Sequence, residues 1–265
     1  MKRTTYILIG TLVSVLIVLV GGVLYISTIK PDRSLYTLTL PDKMAQAEMN
    51  GVRAVKLYAS DLREVWLAGA CVNLVPSGDE KIRVTYPESD YLKVTQQGDT
   101  LIVCLDLSNY NLPKQRDKHI LSALQASSLQ LTIEADANLA FISNTIPGMR
   151  THMGGLQLDS LSTYTKGEKL QLDSCSVQVL RAGGDNTSFV ANKSTISHLY
   201  LDLDFLNNWQ VNNCVVDTEH LTGSGSHRNH LQKGECRQMI WTPKQENAEL
   251  VVTMPEKGCL TLQPE

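Results

Sequence analysis

No Cys-x-x-Cys pair occurs in this 265-residue chain, although it holds six cysteines: Cys71, Cys104, Cys175, Cys214, Cys236 and Cys259. Zinc-ribbon and thioredoxin-like readings therefore have no support. Also missing are a Gly-x-Ser-x-Gly elbow, a His-Glu-x-x-His helix, a Walker loop and a Gly-x-Gly-x-x-Gly turn after a strand. Basic residues are scarce too, with 24 Lys and Arg against 27 Asp and Glu. Lys2, Arg3, Lys30 and Arg33 crowd the first 33 residues against the single Asp32, so the remainder is more acidic than the net charge of −3. Such a surface lacks the electrostatic footprint of a nucleic-acid partner. Aromatic residues make up only 6%, while Val, Leu, Thr, Ser and Asn are common, a composition that suits strands and turns.

One long apolar run stands out. Tyr6 to Ser27 carries no charge and follows the basic head Met1-Lys2-Arg3. A bilayer core needs about 20 apolar residues as a helix, whereas a secretory h-region spans ~7–15. The run predicts an uncleaved transmembrane helix over 6–27 after a cytoplasmic head of residues 1–5. Tyr6 and Tyr25 stand near its ends, as interfacial aromatics do. A juxtamembrane linker over 28–51 and an extracytoplasmic domain over 52–265 follow, in the periplasm if the cell is bacterial. The inner or plasma membrane is thus the first expected partner. Gly21-Gly22 permits close helix contact, though a full Gly-x-x-x-Gly is missing.

The rest of the chain is organised around residues 129–221. Short apolar runs recur there, separated by Asn, Asp, Ser and Gly: LQLTIEAD, LAFISN, GLQLDS, KLQLDS, SFVANKS, HLYLDLD and NWQVNN. Leu129, Leu139 and Met149, then Leu170 and Leu180, then Phe189, Leu199 and Trp209 fall on a ten-residue beat. Leu156–Ser160 and Leu170–Ser174 read identically as Leu-Gln-Leu-Asp-Ser. Alternating apolar positions read as half-buried strands. Strands at fixed spacing, none able to bury its own face, predict an all-β right-handed parallel β-helix, a solenoid, with repeats over 129–236. An antiparallel entry block over 52–108 and closing strands over 237–265 would cap it.

Within the entry region, Pro76-Ser77-Gly78-Asp79 and Gln97-Gly98-Asp99 both read as hairpin turns. Leu35–Leu40 looks strand-like. Met44–Asn50 reads as one or two helical turns or a spacer, and Ile120–Ala126 as a short helical turn. The polar stretch 109–119 reads as a loop, and its Lys114, Arg116, Lys118 and His119 form a small basic cluster. Cys71 and Cys104 both sit in strand-like text and invite a disulfide, against the alternative of free thiols packed in a core. Asn186 and Asn192 begin Asn-x-Ser/Thr sequences.

The runs LREVWLAGACVNLVPSGDEKIRVTYPES, YLKVTQQGDTLIV and LQLTIEADANLAFIS, with the Gly-Ser-Gly turn of Leu221–His227, resemble a family. It is the bacterial auto-transporter-adhesin head domain of GIN type, of unknown function and common in Bacteroidetes. The resemblance covers about residues 52–262. It implies a β-helical domain outside the cytoplasm and no activity. The chain departs from the family in having fewer glycines at its turns and an anchor that looks permanent.

Two constellations are candidates for chemistry. His220, His227, His230 and Cys236 cluster around a glycine-rich turn and are zinc-type ligands, but their spacing matches no metal signature. Asp159, Asp173, Asp202, Asp204 and Asp217 follow strand ends and would align if the strands stack. A ladder of carboxylates could hold calcium or act as an acid–base pair on a glycan. Asp at turns more often bonds its own backbone. The expectation is therefore no catalytic, cofactor or metal residue, and a non-enzymatic scaffold or adhesive surface with a glycan or envelope protein as partner. The alternatives are a glycan-active enzyme and a signalling ectodomain.

Overall fold

The computed structural model describes residues 11, 13–16, 18–21, 36–60, 65–79, 81–110, 122–166, 168–230 and 235–253. It divides into two units, Met1–Leu35 and Tyr36–Glu265. In the first unit the described residues are helical. Among the described residues no helix is long and apolar enough to cross a membrane, and most of 6–27 lies outside them. The basic cluster Lys114, Arg116, Lys118 and His119 also lies outside the described residues, as do Gly22 and Cys259.

The second unit is mostly β strand in mixed sheets. Its entry region holds β1 (Tyr36–Thr37), β2 (Met44–Asn50), β3 (Ala54–Ala59), β4 (Val65–Ala68) and β5 (Cys71–Pro76). It continues with β6 (Lys81–Pro87), β7 (Leu92–Gln97), β8 (Thr100–Leu105), β9 (Ser122–Gln125) and β10 (Gln130–Ala135). Next come β11 (Phe141–Asn144), β12 (Arg150–Gly154), β13 (Gln157–Lys166), β14 (Lys169–Asp173) and β15 (Ser176–Asp185). Then follow β16 (Thr187–Asn192), β17 (Thr195–Asp202), β18 (Leu206–Asn212) and β19 (Val215–Gly223). The last are β20 (Ser226–His230), β21 (Glu235–Pro243) and β22 (Glu249–Thr253).

From β11 to β19 the chain alternates between two sheets. One is eight-stranded, in the order β18-β16-β14-β12-β5-β10-β6-β2. The other is nine-stranded, in the order β21-β19-β17-β15-β13-β11-β3-β8-β7. Each of these strands except β18, which ends its sheet, pairs in parallel with the strand two places on. Leu161 therefore stands opposite Leu180, Leu180 opposite Leu199 and Leu199 opposite Glu219. In the eight-stranded sheet the matching column is Leu170, Phe189 and Trp209. The ten-residue beat is the step from one sheet to the other, and every anchor on it is buried.

The corners repeat as well. Gly155, Ser174, Lys193 and Asn213 all have positive φ, between 48° and 69°. Each follows the last residue of a strand and turns the next residue inward: Leu156, Cys175, Ser194 and Cys214, all buried. Amide N–H groups at these corners donate to the end of the neighbouring strand, Gly155 to Asp173 O at 2.9 Å, Ser174 to Asn192 O at 3.0 Å and Lys193 to Asn212 O at 3.0 Å. Asn213 is of a type that tolerates this left-handed turn, while Ser174 and Lys193 adopt it where glycine would be the default. The two Leu-Gln-Leu-Asp-Ser copies are not equivalent. The first turns a corner at Leu156 and enters β13, whereas the second is β14 with its own corner at Ser174.

Several local expectations are corrected. Met44–Asn50 is a strand, antiparallel to Lys81–Pro87 through seven residue pairs. Pairing, and the ion pairs of Glu48 with Lys81 (3.2 Å) and Arg83 (3.1 Å), override the helix propensity of its Ala, Gln, Glu and Met residues. The Pro76–Asp79 turn does not join a hairpin: β10 inserts between β5 and β6, placing Ile133 opposite Leu74 on one side and Val84 on the other. All three side chains are fully buried, so the insertion completes an apolar row. The Gln97–Asp99 turn does join antiparallel partners, β7 and β8, with Gly98 at φ +60°. Ser122–Gln125 is a strand held in parallel between β1 and β4, not a helical turn. The entry region is thus mixed rather than antiparallel. The far end is parallel: β21 runs along β19 and β22 along β20. Cys71 and Cys104 are free thiols in different sheets, so no disulfide joins them.

Candidate functional site

The outer face of the eight-stranded sheet carries a polar track that crosses successive strands. Asn73, His152 and Gln171 share one row across β5, β12 and β14, and Asp173, Asn192 and Asn212 share the next across β14, β16 and β18. The side chains connect. Cys71 Sγ donates to Asn73 Oδ1 at 3.6 Å. His152 lies between two oxygens, Nδ1 3.2 Å from Asn73 Oδ1 and Nε2 2.6 Å from Asp173 Oδ2. Asp173 also accepts from Gln171 Nε2 at 2.6 Å and Asn192 Nδ2 at 2.7 Å. Asn192 Oδ1 in turn accepts from Asn212 Nδ2 at 2.9 Å. Stacked parallel strands bring equivalent positions about 4.8 Å apart, the spacing such a ladder needs.

Above this track lies a cleft of about 470 Å³, lined among others by Asn73, Gln130, Arg150, His152, Lys169 and Gln171. Arg150 is exposed and Lys169 half-buried. Neither side chain forms an ion pair or hydrogen bond with another described residue. The floor is therefore saturated while its cationic wall is open.

Charge on the floor is fixed by its partners. Burial pushes the Asp173 carboxyl up, but hydrogen bonds from Asn192, Gln171 and His152 outweigh it and hold the group below its ordinary value. A depressed folded-state pKa contributes stability above the unfolded pKa that is lost as pH falls through the folded one. Asp173→Asn should therefore lower the unfolding temperature at about pH 7 and leave a smaller drop on going to about pH 3 than wild type shows. A drop of equal size would mean that Asp173 is not the group titrating. Burial pushes the Cys71 thiol up against the opposing pull of Arg150, so it is a packed thiol and not a thiolate nucleophile. Both ring nitrogens of His152 are engaged, which leaves neither free to take a proton from Cys71.

Of the sequence candidates the structure brings together Asp202, Asp204 and His227, while Asp159, Asp173 and Asp217 have other partners. Asp159 accepts from Gln178 at 3.2 Å. Asp202 and Asp204 share Lys244, at 2.6 and 3.0 Å. Asp204 also accepts from Ser224 N at 2.7 Å and is pulled down to about 2, first by that bond. Asp217 pairs with Arg237 at 3.0 Å. Asp202 and Asp204 thus meet on one ammonium and are held there as an ion-pair cluster, whereas Asp173 lies on the other sheet. His220 stacks on Tyr200 at 4.2 Å on the outer face of the nine-stranded sheet, while the Arg181 guanidinium lies 4.0 Å from the same ring. His227 lies 3.4 Å from Asp204. Cys236 donates to Gln238 O at 3.1 Å, and burial pushes its thiol up to about 12. The His230 side chain lies outside the described residues. Among the described residues no group of three His, Cys, Asp or Glu could hold a metal. The amide of Asn192 is committed to the track on both sides, so an attached glycan would break it. Asn186 sits at a left-handed turn with φ 57°.

Sequence reasoning missed three things: the role of Asn73 and His152, the unpaired Arg150 and Lys169, and Glu219. Glu219 is fully buried, and neither carboxylate oxygen has a hydrogen-bond partner among the described residues. Aligning the text on a 19–20-residue period would have placed Glu219 in register with Leu161, Leu180 and Leu199.

No family model matches the chain, and no curated protein matches it. Solved structures do. A candidate adhesin from Bacteroides fragilis is 12% identical, with a TM-score of 0.42, over 82% of this chain and 99% of that one. A candidate lipid-binding protein from Parabacteroides distasonis is 11% identical, with a TM-score of 0.37, over 83% and 98%. A candidate adhesin from Parabacteroides merdae is 12% identical, with a TM-score of 0.30, over 83% and 97%. At these values the likeness assigns neither ligand nor activity.

Proposed function

We propose that this chain is a membrane-anchored protein of the cell envelope whose β domain is a non-enzymatic binding or adhesion surface for glycans. Residues 6–27 would be the anchor, with residues 1–5 in the cytoplasm, 28–51 as a linker and 52–265 outside the membrane. The described helical residues of the anchor support this: Val13, Val15, Leu16, Val18, Leu19 and Val20 are apolar and exposed, which water disfavours and lipid does not. The alternating parallel ladders support reading the domain as a right-handed β solenoid.

One observation carries the functional reading. The cleft on the eight-stranded sheet has a finished floor, with its acid, imidazole and thiol all engaged, and a wall of amides and cations. A site of that kind has hydrogen-bonding groups for hydroxyls and no free base or nucleophile. Its volume falls within the about 300–1,000 Å³ of small-ligand sites. The test is retention on immobilised oligosaccharides by the full chain in neutral detergent. Retention should fall in the double variant Asn73→Ala/Gln171→Ala while its circular dichroism is unchanged. Retention no better than that of an unrelated protein of equal charge would end the proposal.

A further inference from the structure

We infer that the cleft takes an acidic sugar, a hexuronate, whose carboxylate is held by Arg150 and Lys169; the inference rests on the glycan reading above. Arg150 lies opposite Cys71 on β12, and Lys169 starts β14, the neighbouring parallel strand, where Thr151 stands opposite Leu170. The two cations are therefore side by side on one outer row, about one strand spacing apart. Neither is neutralised by a described residue. The carboxylate nearest in the cleft, Asp173, already takes three hydrogen bonds and is turned toward the track. Glu168, next to Lys169, is the other acid facing this end and forms no ion pair among the described residues. A second anion can thus be clamped by the Arg150 guanidinium, with two parallel N–H donors, while Lys169 adds a point charge.

The rest of the lining selects what carries that anion. Asn73 Nδ2 and the side-chain carbonyls of Gln130 and Gln171 face ring hydroxyls, the two glutamine nitrogens being committed to Gly69, Ser127 and Asp173, and no Phe, Tyr or Trp ring lines the cleft to stack a base. The acidic net charge of the chain disfavours dense polyanions but not one carboxylate on a neutral sugar chain.

The experiment is calorimetric titration of the full chain in neutral detergent with a neutral oligosaccharide bearing one terminal hexuronate and with the methyl ester of that hexuronate. The acid should bind at least about ten-fold more tightly than the ester at low salt, and the advantage should shrink as salt is added. It should vanish in Arg150→Gln/Lys169→Gln, two changes at side chains without structural partners, with the unfolding temperature unchanged. Equal affinity for acid and ester, unaffected by the double variant, overturns the inference and leaves the glycan reading standing. No binding of either sugar ends both. Binding of vesicles rich in phosphatidylserine through Arg150 and Lys169, without binding of the sugar, overturns it in favour of a lipid headgroup.

Discussion

The Glu219→Leu variant should unfold about 6–12 °C above wild type at about pH 8, and close to it at about pH 4. Glu219 occupies a core position, opposite Leu199 on one side and Met239 on the other. Burial pushes its carboxyl up to about 7. The sign follows from linkage: the native state holds this proton between the unfolded value near 4.5 and about 7, and the unfolded state does not. Stability therefore falls as pH rises through that window and stays low above it. Two and a half pH units correspond to about 3 kcal/mol. Leucine removes the whole penalty and extends the column of Leu161, Leu180 and Leu199. Glu219→Gln separates the two contributions, since it abolishes titration but keeps a buried polar end. The measurement is the unfolding temperature of all three proteins across pH 4 to 8. A wild-type profile that is flat there, or one whose slope survives in Glu219→Leu, would show that Glu219 does not carry the charge penalty.

How much of this was legible in the sequence depended on range. Periodicity located the strands because each one buries alternate side chains, and the ten-residue beat marked the buried columns from Leu129 to Trp209. Identical text does not mean an identical place: Leu156–Ser160 and Leu170–Ser174 serve opposite sheets. Partners could not be read. Ile133, the partner of Leu74, comes far later in the chain than β6, so nothing local showed that β10 would separate β5 from β6. Met44–Asn50 failed for the same reason, its strand state being imposed by β6. The aspartates were chosen as a ladder by spacing alone, yet Asp159, Asp173 and Asp217 found separate partners, and Asp202 and Asp204 share one, Lys244. The real ladder mixes Asn, His and Asp, because hydrogen bonding across neighbouring strands needs donors opposite acceptors and not a row of like charges.

Phe189→Ala should destabilise the domain by about 3–5 kcal/mol, or about 6–20 °C in unfolding temperature. Phe189 is fully buried and stands between Leu170 and Trp209 in the eight-stranded column. Its strand, β16, is hydrogen-bonded to β14 on one side and β18 on the other. The backbone around the lost ring is thus pinned from both directions and cannot close the space, which is the circumstance in which a large-to-small change costs most. Phe189→Leu keeps most of the volume and should cost under about 1.5 kcal/mol. Phe205 supplies the control. It is 51% exposed, with only the Lys244 ammonium 5.4 Å from its ring, so Phe205→Ala should stay within about 0.5 kcal/mol of wild type. Denaturant unfolding of the three variants decides the matter. If Phe189→Ala and Phe205→Ala lost equal stability, the column from Leu170 to Trp209 would not be a continuous core, and the polar track on the outer face of the same strands would lose the support that sets its spacing.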